Sequence, residues 1–368
     1  MDELVEAVYS ALSNVIDPEL RLPITELDMV GEITGNGDEL SVEIKLTVSH
    51  CPQSKYLEQE SLKQLREVFP NATVIMKVMS KAELDELKLK LRGPKKQNPF
   101  GQGSSTRVIL VGSGKGGVGK STITANLAVS LAQSGYQVGL IDADIFGFSI
   151  TQQLGITDRP TRLDDMMLPP IAFGVKVISI GMFLAGNEPV SWRGPMLHKA
   201  IEQFLTDVYW GSLDFLLIDM PPGTGDVAIS IGQLLPNAKA LVLTTAAKAA
   251  ALVSVRSGLA ASKAGHELIG VVENLSWLET NGSKENLFGS GGGNQVSKEL
   301  SVATGKEVSL LAQIPVSRQL SASSDAGRPM VLDFPEEPAA RVINSLAEKL
   351  SQLKLGKESL TLNVKLST

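Results

Sequence analysis

Residues 114 to 122 read Gly-Lys-Gly-Gly-Val-Gly-Lys-Ser-Thr, and this stretch decides the fold. It follows an apolar run at 108–111 that predicts a buried strand, and it precedes residues 123–132, which predict a helix. The spacing from Gly114 to Gly119 and Lys120 is that of a phosphate-binding loop. In such a unit, backbone N–H groups and the helix dipole face the anion, and glycines leave room for it. The stretch therefore predicts a nucleoside triphosphate site.

We expect every residue of this loop to contact the nucleotide. The predicted contacts are Gly114, Lys115, Gly116, Gly117, Val118, Gly119, Lys120, Ser121 and Thr122. Lys120 is expected to neutralise phosphate charge during catalysis, and the Ser121 hydroxyl is expected to bind Mg²⁺.

Two further strands end in acidic residues. Asp142 and Asp144 follow one apolar run, and Asp219 ends another, four residues before Gly223. Because ligands of open α/β sheets lie at the carboxyl ends of the strands, we expect these residues to meet the loop. Asp219 and Asp142 would hold Mg²⁺ together with Ser121, and Asp144 would orient the attacking water. For Asp142 and Asp144 the alternative is an ordinary polar strand end.

Two residues that follow Asp219, Gly223 and Asp226, are also expected near the nucleotide. Gly223 would offer its N–H group to the γ-phosphate. Asp226 could join the site, but its place at a helix start favours an N-cap.

Lys115 is a second lysine within the loop. It cannot easily serve the same phosphate as Lys120, so we expect it to reach the nucleotide of a second subunit, as an arginine finger does. A solvated loop lysine is the alternative. The prediction is a homodimer across the ATP site.

Composition limits the remaining possibilities. The chain has 368 residues, a formal charge of −6 and one cysteine, Cys51. The acidic balance argues against nucleic-acid binding, and a single cysteine excludes an internal disulfide. The first residues do not resemble a signal peptide, and no apolar run is long enough for stable membrane insertion. We therefore expect a cytoplasmic protein.

The chain divides into two units joined by a linker. Residues 1–85 predict a small α+β domain in which a hairpin pairs residues 29–33 with an alternating strand at 38–49. Residues 86–106 are rich in Gly, Pro, Ser and like charges, which predicts a flexible linker. Residues 107–368 alternate apolar strands with helices, which predicts an α/β P-loop NTPase whose mostly parallel sheet is covered by helices on both faces. A last helix at 338–353 favours core packing over a membrane surface.

The motifs resemble those of a known family. The loop at 115–122 is similar to the deviant Walker A motif of the MinD/ParA/nitrogenase-reductase class. Further motifs narrow the resemblance to the Mrp branch of this class. Members of that branch are P-loop ATPases that carry iron–sulfur clusters to apo-proteins. The motifs lie at 142–147, 192–195, 219–226, 272–276 and 288–293. The N-terminal unit resembles the small iron–sulfur assembly domain often fused in front, through residues 17–20, 27–30 and 51–52.

The resemblance implies ATP and Mg²⁺ as cofactors, slow and partner-stimulated ATP hydrolysis, and adenine contact by Asn274. Iron–sulfur scaffolds and apo-protein clients are the implied partners. Trp192 and Arg193 have no role that the residues explain.

The sequence departs from this family at two places. The family usually carries Cys-x-x-Cys between the Asn274 motif and the glycine run, and two subunits share a [4Fe–4S] cluster through it. Residues 277–287 contain no cysteine. Since clusters need thiolates or, less often, imidazoles, the usual cluster site is absent. Residues 244–248 lack the usual Pro-Gln pair, which leaves the details of base contact open.

Cys51 is the remaining candidate for a cluster or persulfide. It precedes Pro52 and a predicted helix, and a helix N-terminus lowers the pKa of a thiol. A buried structural cysteine is an equal alternative. None of His50, His198 and His266 suggests a metal site.

Two other functions compete with an iron–sulfur carrier. A positioning ATPase of the MinD/ParA kind would need a basic surface or a basic amphipathic tail. A regulatory switch would bind ATP tightly with negligible turnover.

Overall fold

In the computed structural model, the described residues are 2–35, 39–49, 51–92, 98–101, 103–145, 147–184, 194–223, 231–280 and 282–353. The N-terminal unit comprises α1 (Asp2–Leu12), β1 (Val30–Gly35), β2 (Leu40–Leu46), α2 (Ser54–Arg66), β3 (Thr73–Val78) and α3 (Lys81–Arg92). Its sheet has the order β1-β2-β3, with β1 antiparallel and β3 parallel to β2. The alternating residues of β2 bury Leu40, Val42, Ile44 and Leu46, as the period of two predicts.

The segment predicted as a linker begins inside a helix. α3 continues to Arg92, and Leu87 on it is 1% exposed. Leu84 and Leu91 pack against the same core cluster, because residues three and four apart share one helix face. The basic residues that indicated a solvated linker instead pair with acids, as Lys88 does with Asp164 at 2.7 Å. The prediction of an unstructured chain from residue 86 is therefore wrong for residues 86–92.

The C-terminal unit begins at β4. Its strands are β4 (Arg107–Ser113), β5 (Val138–Asp142), β6 (Thr161–Leu163), β7 (Met166–Leu168), β8 (Ile171–Ala172), β9 (Val175–Ser179), β10 (Phe215–Asp219), β11 (Lys239–Thr245), β12 (Glu267–Asn274), β13 (Leu278–Thr280), β14 (Ser283–Glu285) and β15 (Leu310–Gln313). Its helices are α4 (Lys120–Gln133), α5 (Ile150–Gln153), α6 (Gly194–Thr206), α7 (Lys248–Lys263), α8 (Gly292–Thr304), α9 (Arg318–Asp325), α10 (Met330–Asp333) and α11 (Pro338–Ser351), with a 3₁₀ turn at Ile180–Phe183. Residues 231–234 are also helical.

An eight-stranded sheet in the order β15-β12-β11-β4-β10-β5-β9-β8 forms the centre of this unit. All neighbouring pairs are parallel except β8 and β9. Helices cover both faces: Leu241 of β11 packs in the same core cluster as Leu127 of α4, whereas Val242 packs with Val255 of α7. The predicted α/β P-loop fold is confirmed. Among the described residues, no helix combines the length and apolar character needed to cross a membrane.

The N-terminal unit contacts the amino ends of β5 and β9. Nη2 of Arg21 donates a hydrogen bond to the carbonyl oxygen of Gly174 at 2.7 Å, and its Nη1 donates to Gln137. Thr161 donates through its hydroxyl to Glu19 at 2.8 Å. The phosphate-binding loop lies at the carboxyl ends of the strands. These contacts therefore lie at the other side of the sheet, where the strands begin.

The β6–β7 hairpin adds an apolar contact between the units. Leu163, Met166 and Leu168 are buried in the core cluster of the N-terminal unit. Asp164 and Asp165, in the turn, accept hydrogen bonds from Lys88 and Arg92 of α3. The hairpin therefore belongs to the C-terminal unit in sequence and to the N-terminal unit in packing.

Candidate nucleotide site

The loop between β4 and α4 has the backbone that its glycines permit. Gly117 and Gly119 have φ values of +78° and +82°, in the left-handed region. A Cβ atom on Gly119 would lie 2.3 Å from Nδ2 of Asn274, whereas Cβ atoms on Gly116 and Gly117 would meet nothing within 4 Å. The open side of the loop is therefore at Gly116 and Gly117, which fits an anion cradled by backbone N–H groups.

Asp219 gathers three side chains of α4 at the base of the loop. Its Oδ2 accepts hydrogen bonds from Nζ of Lys120 and from Oγ of Ser121, both at 2.6 Å. Its Oδ1 accepts from Oγ1 of Thr124 at 2.9 Å. Asp219 is fully buried and Lys120 is 6% exposed. A hydroxyl and a carboxylate oxygen in contact are the donor set that Mg²⁺ prefers, so Ser121 and Asp219 fit the predicted metal site.

Asp142 accepts four hydrogen bonds at the end of β5. Its Oδ2 accepts hydrogen bonds from the N–H groups of Ser149 and Ile150 and from the hydroxyl of Ser179. Its Oδ1 accepts from the N–H group of Asp144 at 3.2 Å. Burial and the charge of Asp219 raise the pKa of Asp142 to about 7. These four protein donors tie Asp142 to the residues that follow β5 and to Ser179, and its binding of Mg²⁺ stays a prediction.

Asp144 lies beside the lysine of the loop. Its Oδ2 is 4.0 Å from Nζ of Lys120, and its Oδ1 accepts a hydrogen bond from the N–H group of Gly147 at 3.1 Å. Its side chain is thus close to the phosphate-binding elements. Its role in orienting water stays a prediction.

Gly223 is held at the end of β4. Its N–H group donates to the carbonyl oxygen of Ser113 at 2.9 Å, and its contact with a γ-phosphate stays a prediction. This hydrogen bond ties the segment after β10 to the end of β4.

Asn274 holds the loop from the neighbouring strand. Its Nδ2 donates to the carbonyl oxygen of Val118 at 2.9 Å. Because this donor fixes the amide orientation, Oδ1 is the free end, and it is a buried acceptor without a hydrogen-bond partner. Beside it lies a pocket of about 360 Å³. The lining includes Gly117, Gly119, Thr122, Asn274, Pro315 and Ser317. A pocket that extends from the loop suits a base and a sugar, but adenine contact stays a prediction.

Lys115 stands on the open side of the loop. Its side chain is exposed, and its backbone carbonyl oxygen accepts a hydrogen bond from the hydroxyl of Ser113 at 3.1 Å. The exposed side chain leaves it accessible to another subunit. Its action in trans stays a prediction.

A β-hairpin occupies the segment where the family usually carries its cysteines. β13 pairs with β14, and Nζ of Lys284 lies 3.8 Å from the ring centroid of Trp277. This cation–π contact joins the hairpin to the end of β12.

Cys51 is buried, and its thiol is not activated. Its residue is 8% exposed within the core of the N-terminal unit. Burial, together with the charges of Glu19 and Asp17, raises the pKa of Cys51 to about 11, although N–H groups of Gln53 and Ser54 oppose the shift. The expected lowering of this pKa by the helix is therefore wrong. α2 begins only at Ser54, and desolvation outweighs its N-terminus.

Some of the remaining residues considered in the sequence lie outside the described structure, and His266 lies within it. His50, Trp192, Arg193 and Asp226 lie outside the described residues. Nδ1 of His266 lies 3.0 Å from the carbonyl oxygen of Ala238, and burial lowers the pKa of this histidine. Within the described ranges, no group of three or more His, Cys, Asp or Glu residues is arranged to hold a metal ion.

The sequence did not indicate two buried polar residues near the carboxyl ends of the strands. Thr124 binds Asp219, and its position one turn after Lys120 on α4 was the available indication. Glu273 accepts hydrogen bonds from the N–H group of Gly293 at 2.6 Å and from Nε2 of Gln313 at 2.8 Å. It thereby joins β12 to the start of α8 and to β15, and nothing in its local sequence indicates these partners.

Fold and site together define a nucleotide-binding P-loop NTPase. The sequence model of the NUBPL iron-transfer P-loop NTPases matches residues 104–351, and a model described as an iron–sulfur cluster assembly protein matches residues 5–75. The chain belongs to the NUBPL iron-transfer P-loop NTPase family, which confirms the resemblance seen in its motifs.

Individual relatives agree with this assignment. The iron–sulfur cluster carrier protein of Mycobacterium tuberculosis is 48% identical over 370 residues, which cover 98% of this chain and 97% of the relative. A nucleotide-binding protein from Archaeoglobus fulgidus, solved in complex with ADP, is 34% identical with a TM-score of 0.52, covering 63% of this chain and 93% of that one. The cell division ATPase MinD of Pyrococcus furiosus is 25% identical with a TM-score of 0.50, covering 67% and 99%.

Proposed function

We propose that this protein is a dimeric ATPase that binds iron–sulfur clusters or their components and delivers them to apo-proteins in the cytoplasm. The observation that carries the ATPase part is the cluster of Lys120, Ser121 and Thr124 on the buried Asp219, below an open glycine loop. The iron–sulfur part rests on family membership and on the similarity to iron–sulfur cluster carrier proteins.

The chain's own residues support a simple division of labour. Loop N–H groups and Lys120 would bind the phosphates, and Asn274 would border the adenine. Asp144, within 4.0 Å of Lys120, would orient the attacking water. Bound Mg²⁺, held by Ser121 and Asp219, would neutralise charge on the transferred phosphoryl group. Lys115 from a second subunit would add the cation that completes the site.

The cluster itself is cargo that this chain alone is poorly equipped to hold. Its single thiol is buried, and the pKa of that thiol is raised to about 11. A cluster needs several thiolate or imidazole ligands. We therefore infer that partner proteins supply most ligands, whether or not Cys51 contributes one.

Two lysine variants and one matched control test the ATPase role. Lys120→Ala should abolish nucleotide binding, because it removes the buried cation below the loop. Lys115→Ala should retain binding but lose about 10³-fold in turnover, since trans cations contribute on that order. Lys298→Ala, which removes an exposed lysine of α8, should change neither property. Phosphate release and fluorescent-nucleotide titration provide the measurements, with an accessory partner present if basal turnover is low.

Mixing two inactive variants tests the dimer. If Lys115 acts in trans, a mixed dimer of Lys115→Ala and Asp144→Asn has one intact site, composed of Asp144 from one chain and Lys115 from the other. Because half of the dimers in an equimolar mixture are mixed, about a quarter of the wild-type sites should be active. If Lys115 acts within its own chain, the mixture stays inactive and the trans role is rejected.

Anaerobic reconstitution with iron and sulfide tests the cargo. Wild type and Cys51→Ala, each with and without a thiol-bearing scaffold protein, are compared by iron content and visible absorbance. The proposal predicts a cluster mainly in the presence of the scaffold. Normal activity of iron–sulfur enzymes in cells lacking this protein would contradict the carrier function.

A further inference from the structure

The ammonium group of Lys120 lies between the two side chains that fit the metal site. Its Nζ is 2.6 Å from Oδ2 of Asp219 and 3.3 Å from Oγ of Ser121, and it donates a hydrogen bond to each. The hydroxyl of Ser121 donates to the same Oδ2 at 2.6 Å. The three groups form a closed triangle of hydrogen bonds, in which the ammonium is the cation that both oxygens hold.

Burial makes this cation necessary. Asp219 is fully buried, and the side chain of Lys120 is 6% exposed. A buried carboxylate is costly unless a nearby cation neutralises it. Within the described residues, the ion pair of Asp219 is with Lys120. Lys120 therefore supplies the positive charge that a bound divalent cation can also supply.

Thr124 fixes the direction of the shared oxygen. Its Oγ1 lies 2.9 Å from Oδ1 of Asp219, and the residue is fully buried. Because Oδ1 is held by Thr124, Oδ2 is the oxygen directed at Ser121 and Lys120. Mg²⁺ prefers oxygen ligands and binds them at about 2.0–2.1 Å. An ion held by Ser121 and Asp219 would need the same two oxygens that the ammonium now contacts.

Lys120 also has a second acidic neighbour and open space above it. Oδ2 of Asp144 is 4.0 Å from its Nζ, and Asp144 is 7% exposed. On the open side of the loop, Cβ atoms on Gly116 and Gly117 would meet nothing within 4 Å. The flexible four-carbon stem of a lysine lets the ammonium turn from Asp219 towards phosphates bound in this loop.

We propose that Lys120 and the metal ion compete for Oδ2 of Asp219. Without metal, the ammonium neutralises the buried carboxylate. When a divalent cation binds Ser121 and Asp219, the ammonium is released to the phosphates, because two cations on one carboxylate oxygen repel each other. Metal and nucleotide phosphates therefore favour the same position of Lys120, and each raises the affinity for the other. This inference rests on the proposed metal site and adds the coupling to it.

Metal binding by the full chain without nucleotide tests the competition. Mn²⁺ replaces Mg²⁺ in the titration, because the free ion can be counted by electron paramagnetic resonance. Lys120→Met should bind Mn²⁺ at least about tenfold more tightly than wild type, since the charged hydrogen bond to Oδ2 is gone. Lys115→Met removes an equal but exposed charge from the same loop and should change the affinity less than about twofold. The proposal is overturned if Lys120→Met binds no more tightly than wild type, or if Lys115→Met gains as much.

Thermal unfolding provides a second measurement, which tolerates a less stable variant. Lys120→Met leaves a buried carboxylate without its cation, so its melting temperature should be low. Mn²⁺ should raise that temperature by several degrees and the wild-type temperature much less, since the ion restores the lost charge. Adding Ser121→Ala should remove most of the shift. Lys120→Gln, whose amide can still donate to Asp219, repeats both measurements in a less destabilised chain. An equal shift in wild type would contradict the competition.

Equilibrium dialysis against Mn²⁺ and ATP separates this inference from the proposed function. The proposed metal site predicts that wild type retains Mn²⁺ under these conditions and that Asp219→Asn does not. Retention by wild type, with no gain for Lys120→Met in the titration without nucleotide, would overturn the competition alone. No retention by wild type would overturn the metal site and the competition together.

Discussion

Three donors of α4 converge on the single carboxylate of Asp219. Lys120, Ser121 and Thr124 occupy the first turn and a half of the helix, so one acid at the end of β10 can bind all three. The loop is thereby fixed at its base while its glycines remain open above. Removing Asp219 would leave a buried lysine without its closest partner, which typically costs about 3–5 kcal/mol.

Cys51 is predicted to react slowly. The pKa of its thiol is raised from 9.0 to about 11, so near neutral pH the thiolate fraction is about 100-fold below that of an ordinary cysteine. Alkylation by iodoacetamide, followed by mass spectrometry, should be at least that much slower in the folded chain than in urea. The rate should still be rising with pH at pH 10. A folded-state rate equal to that in urea at pH 8 would instead indicate an activated thiol.

Lys176 is predicted to give the protein a measurable dependence on pH. Burial, and next the charge of Arg21, lowers the pKa of this β9 lysine from 10.5 to about 7. Between these values the unfolded chain holds the proton and the folded chain does not, so this group makes stability rise with pH.

In Lys176→Met that dependence should disappear. The variant's melting temperature relative to wild type should be highest near pH 7 and should fall towards pH 10. The lost hydrogen bonds to the carbonyl oxygens of Tyr209 and Trp210 would shift the difference at all pH values without changing this trend. A difference that is constant from pH 7 to pH 10 would contradict the lowered pKa.

At the level of elements, the β6–β7 hairpin shows which forces hold the two units together. Its charge pairs, Lys88 with Asp164 and Arg92 with Asp165, include half-exposed carboxylates. Such pairs contribute at most about 1 kcal/mol each. Leu163, Met166 and Leu168 are buried, and each contributes more through loss of apolar surface from water.

Variants of adjacent residues in this hairpin separate the two contributions. Leu163→Ala should lower the free energy of unfolding of the N-terminal unit by about 2–4 kcal/mol, because it leaves a cavity in a fully buried position. Asp164→Asn should change it by less than about 1 kcal/mol. Urea unfolding followed by the circular dichroism signal provides the values. Equal effects of the two changes would mean that the charge pairs dominate the contact.

For the whole molecule, the two candidate functional regions lie at opposite ends of the strands of the large sheet. The phosphate-binding loop follows the carboxyl end of β4, whereas the unit that contains Cys51 contacts the amino ends of β5 and β9. In a dimer formed across the ATP sites, we expect the two N-terminal units, each with its Cys51, to lie away from the shared interface. We therefore do not expect the two thiols to share one cluster in such a dimer.

This arrangement predicts that ATP alone does not create a cluster site. ATP and Mg²⁺ added to the reconstituted chain should raise its mass to that of a dimer without raising iron per chain. Light scattering and iron analysis on the same sample provide the two measurements. Iron that rises with ATP in wild type but not in Cys51→Ala would show that the dimer does bring the thiols together.

Some elements of the fold can be predicted from the sequence and others cannot. The strand–loop–helix at 108–132 and the alternation in β2 are local patterns, since spacing and burial there repeat over neighbouring residues. The sequence does not predict α3, because its leucines alternate with lysines. Lys88 pairs with Asp85 on the same helix, but its second acid, Asp164, and the partner of Lys90, Asp28, lie far away in the sequence.

The sequence by itself determined the nucleotide-binding loop, the parallel α/β sheet, the family and the absence of the usual cluster cysteines, because these depend on residue identity and short spacing. Only the tertiary structure decided that the Asp142 oxygens are occupied, that the N–H group of Gly223 is bound to Ser113 and that the pKa of Cys51 is raised. These properties depend on which distant groups pack against each residue. Desolvation and hydrogen bonding are set by that packing, and no local pattern encodes them.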